Sequence, residues 1–241
     1  MPERAYGVRA AARRALSPVG KLAAMLASKL DPARHWSFAQ EGEDRVLLRL
    51  LEGGAKGFYV DVGAHHPSRF SNTRLFYDRG WHGINIEPSP AAIEAFAATR
   101  RRDQNLQLGI AEQPGELIYY VFNDPALNTF DAALMREREA QTTYRVVGTR
   151  KVAVERLDAV LARHLPRGQA IDFLSVDVEG YDLQVLRSSD WARFRPRVVL
   201  VEALDFRLEQ AARHPIHAFL SGVRYELVAK TLNTLFYRDR A

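Results

Sequence analysis

Short apolar segments that contain or end in an acidic residue recur along this chain. Phe58 to Val62 are aromatic or β-branched apart from Asp61, and comparable runs lead into Glu87, Asp177 and Glu202. Segments of this length and composition are typical of strands that are buried on both faces of a parallel sheet. Helical patterns lie between them, and this alternation of strands and helices predicts an α/β fold.

Turn and capping residues place the remaining elements. Ser89 followed by Pro90 is a typical helix start, and it predicts a helix over Ala91 to Arg102. A first crossover helix is expected over Ser68 to Arg79, and residues 123–148 are expected to be irregular. The other predicted strands are Trp81 to Glu87, Leu106 to Ala111 and Gly115 to Phe122, and an antiparallel hairpin is expected over Arg224 to Arg238. Further helices are predicted to end at Leu51 and to run through Leu183 and Leu186. Val152 to Leu161 should contain a strand and the start of a helix.

The first strand runs into a turn whose residues favour a bound ligand. Gly63 allows a sharp turn and a close approach of ligand to backbone, and Pro67 stops the ladder from continuing. Asp61 is unusual, because a carboxylate within an apolar strand is unfavourable unless it has a partner. We therefore expect Asp61 to reach a ligand or the amide groups of the turn.

A second acid, at the end of the next strand, indicates an adenosine-type ligand. Glu87 follows Asp61 by 26 residues, at the position where nucleotide-binding α/β folds hold a ribose. The G-x-G-x-x-G turn that a nicotinamide dinucleotide requires is missing, since the turn offers only Gly63. A sulfonium in place of the pyrophosphate needs one close approach to the backbone, so S-adenosylmethionine fits the sequence better than NAD.

Five acids are expected to meet at one edge of the sheet. In open α/β sheets, ligands bind at the carboxyl ends of the strands. The acids predicted at those ends are Asp61, Glu87, Asp177, Glu179 and Glu202. One such acid is usually a helix cap or a solvated side chain, whereas five at equivalent positions indicate a ligand site.

Length and composition allow one sizeable domain with an appendage. The 241 residues include no cysteine, which excludes disulfides and a cysteine nucleophile and agrees with a cytoplasmic compartment. The net charge of +5 resides in residues 1–34, where seven Lys or Arg accompany two acids, and the rest of the chain is balanced. The basic charge therefore does not indicate nucleic-acid binding by the domain. No apolar run approaches the roughly 20 residues that span a bilayer.

Residues 1–34 are predicted to form a basic helical extension of a domain that covers residues 35–241. Two short helices are expected on either side of Ser17 and Pro18, and apolar residues recur at helical spacing from Val19 to Leu30. The extension either packs on the domain or on a second subunit of a homo-oligomer, or it lies on an acidic membrane surface at the inner face. No uninterrupted apolar segment or cleavage site indicates a signal peptide.

Five motifs follow one another along the chain. They are Ser37 to Asp44, Tyr59 to Pro67, Ser71 to Thr73, Gly80 to Pro88 and Asp177 to Gly180. Together they resemble the FkbM family of S-adenosylmethionine-dependent methyltransferases, over about residues 37–238. The resemblance implies a Rossmann-like class I methyltransferase fold, with a seven-stranded, mostly parallel sheet and a C-terminal antiparallel hairpin. It also implies O-methylation, usually of a sugar or polyketide hydroxyl.

The same resemblance assigns residues to the cofactor. It implies that Glu87 holds the ribose hydroxyls, that the turn after the first strand lines the methionine side, and that Asn72 and Thr73 contact the carboxylate. Gln40 is included, although Ala39 stands before it where the family has an aromatic residue or a serine. The full set predicted to bind S-adenosylmethionine is Gln40, Asp61, Gly63, Ala64, Asn72, Thr73, Glu87, Pro88 and Ser89.

Methyl transfer to a hydroxyl requires that the acceptor oxygen approach the methyl group in line with the sulfur and that the hydroxyl proton be removed. Several polar residues near the expected methyl group are candidates for this role. The candidates for that removal are His65, His66, Asp177 and Glu179, although a histidine in such a turn is also often held by backbone groups. Related methyltransferases hold magnesium at places equivalent to Asp177 and Glu202, and His65 would complete a site for Mg²⁺ or Mn²⁺. Alternatively, Asp177 and Glu202 bind sugar hydroxyls directly.

The leading hypothesis is an enzyme that methylates a hydroxyl of a glycan, a nucleotide sugar or a glycosylated metabolite. Polar residues in the irregular segment favour a sugar over a polyketide or another natural product; they are Asn123, Asp124, Asn128, Thr129 and Asp131. A non-catalytic module with the cofactor fold, recruited by its basic leader, is the hypothesis from another class. Nucleic acid is not an expected partner, because the domain without its leader is neutral and lacks a basic, aromatic stripe.

Overall fold

The structure, a computed structural model, describes residues 35–52, 54 and 56–240. The predicted helical extension over residues 1–34 lies outside the described residues. The described residues from Ser37 onwards form one compact unit. Among the helices described, none is both long and apolar enough to cross a membrane.

The described residues form ten strands in a large and a small sheet. In chain order the strands are β1 (Phe58–Val62), β2 (His82–Ile86), β3 (Gln104–Leu106), β4 (Gly109–Ile110), β5 (Gly115–Phe122), β6 (Val146–Glu155), β7 (Phe173–Val176), β8 (Val198–Glu202), β9 (Tyr225–Lys230) and β10 (Thr234–Asp239). The large sheet has the order β3-β2-β1-β7-β8-β10-β9, and the small sheet has the order β4-β6-β5. The first five strands of the large sheet are parallel, and β10 is antiparallel to both of its neighbours. The predicted seven-stranded, mostly parallel sheet with a closing hairpin is confirmed.

Helices occupy most of the connections. In the described part of the chain they are α1 (Glu43–Leu50), α2 (Arg74–Asp78), α3 (Pro90–Thr99), α4 (Ala132–Gln141), α5 (Leu157–His164), α6 (Asp182–Arg187) and α7 (Pro215–Gly222), with 3₁₀ turns at Pro125–Leu127 and Leu208–Arg213. Ser89 precedes α3 as its N-cap residue and Pro90 is its first residue, as the sequence predicts. The helix ends at Thr99, three residues before the predicted end.

Apolar side chains cover both faces of the large sheet, because side chains alternate along each strand. Phe58, Val60 and Val62 of β1 pack into the larger apolar cluster on one face. Tyr59 packs into a second cluster that includes Phe173 of the neighbouring strand β7. The alternation places Asp61 on the same face as Tyr59.

The first crossover helix is shorter than the prediction of Ser68 to Arg79. The helix α2 begins only at Arg74, because the preceding residues form local bonds between side chain and backbone. His66 Nδ1 accepts the amide N–H groups of Ser68 at 3.1 Å and Arg69 at 3.0 Å, and Ser71 Oγ accepts that of Arg74 at 3.1 Å. Such bonds compete with helix formation.

The predicted strand from Leu106 to Ala111 is wrong, since this segment contains parts of two strands. Leu106 ends β3, which pairs with β2, whereas Gly109 and Ile110 pair with β6 in the small sheet. Gly109 is needed at this change of sheet, because an added β-carbon would lie 2.7 Å from the ring of Phe130.

Residues 123–148 contain the helix α4, and the prediction of an irregular segment is wrong in this part. Asp131 is the N-cap residue, and its Oδ1 accepts the amide N–H groups of Ala133 at 2.7 Å and Leu134 at 3.0 Å. The large apolar residues of the helix are Leu134 and Met135, which are adjacent, so its sequence shows no apolar periodicity from which a helix could be predicted.

Candidate active site

The carboxyl ends of four parallel strands form one polar edge of the large sheet. Asp61 is the fourth residue of β1, Glu87 directly follows β2, Asp177 directly follows β7, and Glu202 ends β8. A cleft of about 710 Å³, its open mouth included, lies at this edge. Open α/β sheets bind their ligands at this edge, at the carboxyl ends of the strands.

Most of the residues predicted to bind the cofactor line this cleft, which we call the cofactor cleft. These residues are Gln40, Asp61, Gly63, Ala64, Asn72, Glu87 and Pro88. Three of the candidates for chemistry, His65, Asp177 and Glu179, also line it, and so do Tyr119 and Phe130, which the sequence did not indicate. Thr73, Ser89 and His66 do not belong to its lining.

Gly63 brings the ends of two strands together. Its φ of 80° lies in the left-handed region, and an added β-carbon would lie 1.8 Å from the carbonyl oxygen of Asp177. Any other residue would push the end of β1 away from the end of β7. The contact between the ends of β1 and β7 therefore explains why glycine is required here, as the sequence predicts.

Glu87 is held in one orientation by backbone donors. Its Oε2 accepts the amide N–H of His65 at 3.0 Å, and its Oε1 accepts that of Ser89 at 2.9 Å. The hydroxyl of Tyr119 donates to Oε1 at 3.4 Å. Burial raises the pKa of Glu87, and these bonds oppose that rise. Ser89, one of the residues predicted to bind the cofactor, orients this carboxylate through its backbone amide.

Asp61 is oriented from behind by Thr73. The Thr73 hydroxyl donates to Asp61 Oδ2 at 3.0 Å, and Thr73 is fully buried. The structure therefore places Thr73 in contact with Asp61 and away from the cleft where it was predicted to contact the cofactor carboxylate. Burial raises the pKa of Asp61 to about 6, while the Thr73 hydrogen bond and the charge of Arg100 act in the opposite direction.

Arg100 anchors this arrangement and was not predicted from the sequence. Its Nη2 donates to Thr73 Oγ1 at 2.8 Å and to Tyr59 Oη at 2.9 Å, and its Nη1 donates to the carbonyl of Pro67 at 3.0 Å. Its Nε donates to Asp103 Oδ2 at 3.0 Å, in an ion pair whose two side chains have no exposed surface. The network thus connects the acid of β1 with the end of the glycine turn.

Three carboxylates meet where the cofactor cleft ends. Oxygen atoms of Asp177, Glu179 and Glu202 lie within 4.8 Å of one another. Burial and the neighbouring acids raise the pKa of Asp177, and they raise that of Glu202 to about 11. The side chain of Arg138, on α4, forms an ion pair with Glu179. No described residue donates a hydrogen bond to the side chain of Asp177 or Glu202.

The two neighbouring histidines differ in their surroundings. His65 lines the cofactor cleft, and its φ of 52° lies in the left-handed region. It does not belong to the group of Asp177, Glu179 and Glu202, which we call the carboxylate cluster. Glu179 occupies the third position of the metal site for which His65 was predicted. Burial lowers the pKa of His65. His66 accepts two backbone amides with Nδ1 and holds the turn, which is the structural role considered for one of the pair.

The polar residues of the insertion are hydrogen-bonded within the protein. Four of them accept hydrogen bonds from backbone amides of the insertion or of the last residue of β5, and these residues are Asn123, Asp124, Asn128 and Asp131. The hydroxyl of Thr129 donates to the carbonyl of Glu179 at 2.7 Å. The bond from Thr129 fastens the insertion onto the active-site edge. Asn128 also lines the cofactor cleft.

Comparison with known proteins supports one family. The model of the methyltransferase FkbM domain matches residues 61–230. No curated protein matches the chain. The METTL16 methyltransferase domain is 10% identical, with 83% of this chain and 67% of that chain covered and a TM-score of 0.45. A Burkholderia thailandensis 1,6-didemethyltoxoflavin-N1-methyltransferase with bound S-adenosylhomocysteine is 13% identical, with 95% and 93% covered and a TM-score of 0.42. Both likenesses are distant.

The raised pKa of Asp61 predicts how stability depends on pH without ligand. An acid whose pKa is higher when folded binds its proton more tightly when folded, so the free energy of unfolding falls as pH rises from about 4 to about 6. At about 1.4 kcal/mol per pKa unit, Asp61 contributes roughly 3 kcal/mol to this fall. Urea unfolding across this range should show a shallower fall for Asp61→Asn than for the wild type. The exposed Asp78→Asn is the control, and parallel curves for Asp61→Asn and the wild type would refute the assignment.

Proposed function

Because the chain belongs to the FkbM methyltransferase family, we propose that it transfers the methyl group of S-adenosylmethionine to a hydroxyl group of a sugar. Membership of this family establishes that the chain is an S-adenosylmethionine-dependent methyltransferase. The sugar and the hydroxyl are the parts proposed, and they rest on the polar surroundings of the carboxylate cluster.

The residues of the cofactor cleft fit S-adenosylmethionine. Gly63 leaves the backbone open to a close approach, and Glu87 keeps a buried carboxylate in a fixed orientation that suits a pair of ribose hydroxyls. Asn72, whose amide donates to Ser175 Oγ at 3.1 Å, and Gln40 add polar groups to the same lining. The cofactor supplies a methyl group already activated by its sulfonium, so the protein has mainly to orient the acceptor and remove its proton.

A small polar pocket beside the cofactor cleft is the observation that carries the proposal of a sugar. Its lining is polar except for Phe70 and consists of Gln40, Glu41, Glu43, Phe70, Asn72, Asp177, Glu202, Asn233 and Thr234. Asp177 lines both the pocket and the cofactor cleft. Glu41 and Glu43 already accept hydrogen bonds from Asn233 and Thr231, whereas Asp177 and Glu202 keep acceptor oxygens for a hydroxyl group of the acceptor. The lining offers little apolar surface for a polyketide.

Asp177 is the proposed base. Its side chain accepts no hydrogen bond from the described residues, so its oxygens are open to an acceptor hydroxyl at the boundary of the two cavities. Glu179 is less suited to this role, because Arg138 already pairs with it. General-base catalysis of this kind typically contributes about 10²-fold to 10⁴-fold in rate.

The carboxylate cluster also supports assistance by a divalent cation. Carboxylate oxygens are the ligands that Mg²⁺ and Mn²⁺ prefer, and Asp177, Glu179 and Glu202 are close enough to share one ion. Such an ion would relieve the repulsion among the three acids. It would also lower the pKa of the acceptor hydroxyl.

Thermal unfolding tests the cofactor and the base together. S-adenosylmethionine and S-adenosylhomocysteine at about 100 times their dissociation constants add about 2.7 kcal/mol of stability and should raise the melting temperature by roughly 5–10 °C, and NAD should not. Asp61→Ala should lose the shift.

Asp177→Asn should keep the thermal shift, but its rate of methylation of a sugar, followed by mass spectrometry, should fall at least about 100-fold. Asp78→Asn should behave as the wild type in both measurements. No shift with either ligand would favour the non-catalytic module.

Metal assistance is tested by the same unfolding after treatment with a chelator. Mg²⁺ or Mn²⁺ should raise the melting temperature of the wild type, because the ion binds only the folded carboxylate cluster. Glu202→Gln should lose this effect, and Glu209→Gln, an exposed acid outside the cluster, should retain it. Equal shifts in Glu202→Gln and the wild type would remove the cluster as the metal site.

A further inference from the structure

One wall of the cofactor cleft comes from the segment between β5 and α4. Four residues of this segment, which we call the cleft wall (residues 125–130), line the cleft; they are Pro125, Ala126, Asn128 and Phe130. Near its end the wall is fastened to β5, because Thr129 and Tyr120 exchange two backbone hydrogen bonds of 2.9 and 3.2 Å. Its middle, the 3₁₀ turn at Pro125–Leu127, is held by a side chain of α4.

That side chain is Arg138, which holds the cleft wall with one nitrogen and an active-site acid with another. Its Nη1 donates to the carbonyl of Leu127 at 2.9 Å, and its Nη2 forms the ion pair with Glu179. The side chains of Arg138 and Glu179 are 11% and 16% exposed, so water competes little for these bonds. Arg138 does not line the cofactor cleft, and it therefore acts on a cofactor through the groups that it holds.

The loop after β7 is shaped to meet this part of the chain. Glu179 has a φ of 54°, in the left-handed region, which is unfavourable for a residue of this type. Its carbonyl accepts the hydroxyl of Thr129 at 2.7 Å, and its side chain pairs with Arg138. At Gly180, an added β-carbon would lie 2.8 Å from the side chain of Leu134 on α4. The strained backbone is thus compensated by contacts with the cleft wall and α4.

Arg138 connects the cofactor side of the site with the acceptor side. Among the described residues, it is the one Lys or Arg that forms an ion pair with the carboxylate cluster. Its partner Glu179 belongs to that cluster and also lines the cofactor cleft. Arginine suits two partners at once, because its planar guanidinium presents several N–H donors in fixed directions, whereas the ammonium of lysine is a single point.

We propose that Arg138 is a positioning residue, which keeps the cleft wall and Glu179 in place for the cofactor. This inference deepens the function proposed above and rests on its placement of the cofactor in the cleft. Loss of the guanidinium should weaken cofactor binding, although Arg138 does not line the cleft. The contribution of Glu179 to cofactor binding should in turn depend on Arg138, because the two side chains act as a pair.

Calorimetric titration of the full chain with S-adenosylhomocysteine tests this role. Arg138→Met loses both bonds but keeps an apolar stem, and it should bind at least about tenfold more weakly. Arg138→Lys should recover part of this loss, because its ammonium can hold one of the two partners. Arg136→Met, the same change at an exposed position of α4, should match the wild type. Glu179→Gln should weaken binding at least about threefold in the wild type and no further in Arg138→Met.

Hydrogen exchange followed by mass spectrometry tests the same role without any ligand. The amides of Leu127 and Asn128 donate to backbone carbonyls within the turn, so their exchange reports how well the cleft wall is held. They should exchange at least about tenfold faster in Arg138→Met than in the wild type. The amides of β1 and β7, at the centre of the large sheet, should exchange at the same rate in both.

The outcomes separate this inference from the proposed function. Unchanged exchange of the cleft wall, unchanged affinity in Arg138→Met, or an equal loss from Glu179→Gln in both backgrounds would overturn the role of Arg138. Faster exchange throughout the large sheet would also overturn it, since Arg138 would then stabilise the whole domain. Arg138→Lys carries the same comparisons if Arg138→Met does not fold. Failure of the wild type to bind S-adenosylhomocysteine would overturn the proposed function, while exchange of the ligand-free wall still decides whether Arg138 holds it.

Discussion

The buried guanidinium of Arg100 is the interaction on which the cofactor side of this protein depends. Burying an ion is unfavourable by several kcal/mol unless a counter-ion and hydrogen bonds compensate it. Arg100 has both, since it pairs with Asp103 and donates to Pro67, Tyr59 and Thr73. These partners belong to β1, the glycine turn, the residue before α2 and the residue before β3. One ion therefore holds four separate segments in a fixed arrangement, and Asp61 is oriented through it.

The acids at the edge of the sheet divide into two groups by their partners. Asp61 and Glu87 accept hydrogen bonds from the protein and are held in place before any ligand arrives. Asp177 and Glu202 accept none from the described residues and lie close enough to repel each other. Fixed acids suit the binding of a cofactor whose position must not change. Acids without partners suit an acceptor, a proton or a cation, each of which relieves the repulsion.

The strands and their acids could be predicted from the sequence because these signals are local. An apolar run, a glycine and an acid at the end of a strand lie within a few residues of one another, and β1 was predicted with its observed bounds. Arg100 could not be predicted, because it stands just after α3, where a basic residue is usually solvated. Its burial depends on partners 27 to 41 positions away. Arg138 and Tyr119 escaped prediction for the same reason, since each meets an active-site acid through long-range packing.

Calorimetric titration of S-adenosylhomocysteine measures most directly whether this edge of the sheet holds the cofactor through Glu87. The wild type should bind one equivalent, and Glu87→Gln should bind at least about tenfold more weakly, a loss of about 1.4 kcal/mol. Glutamine removes one acceptor oxygen and turns an N–H donor towards the backbone amide of His65 or Ser89. The exposed Glu94→Gln should match the wild type. Equal affinity of Glu87→Gln and the wild type would contradict the assignment of the ribose to Glu87 and, with it, the placement of the cofactor in this cleft.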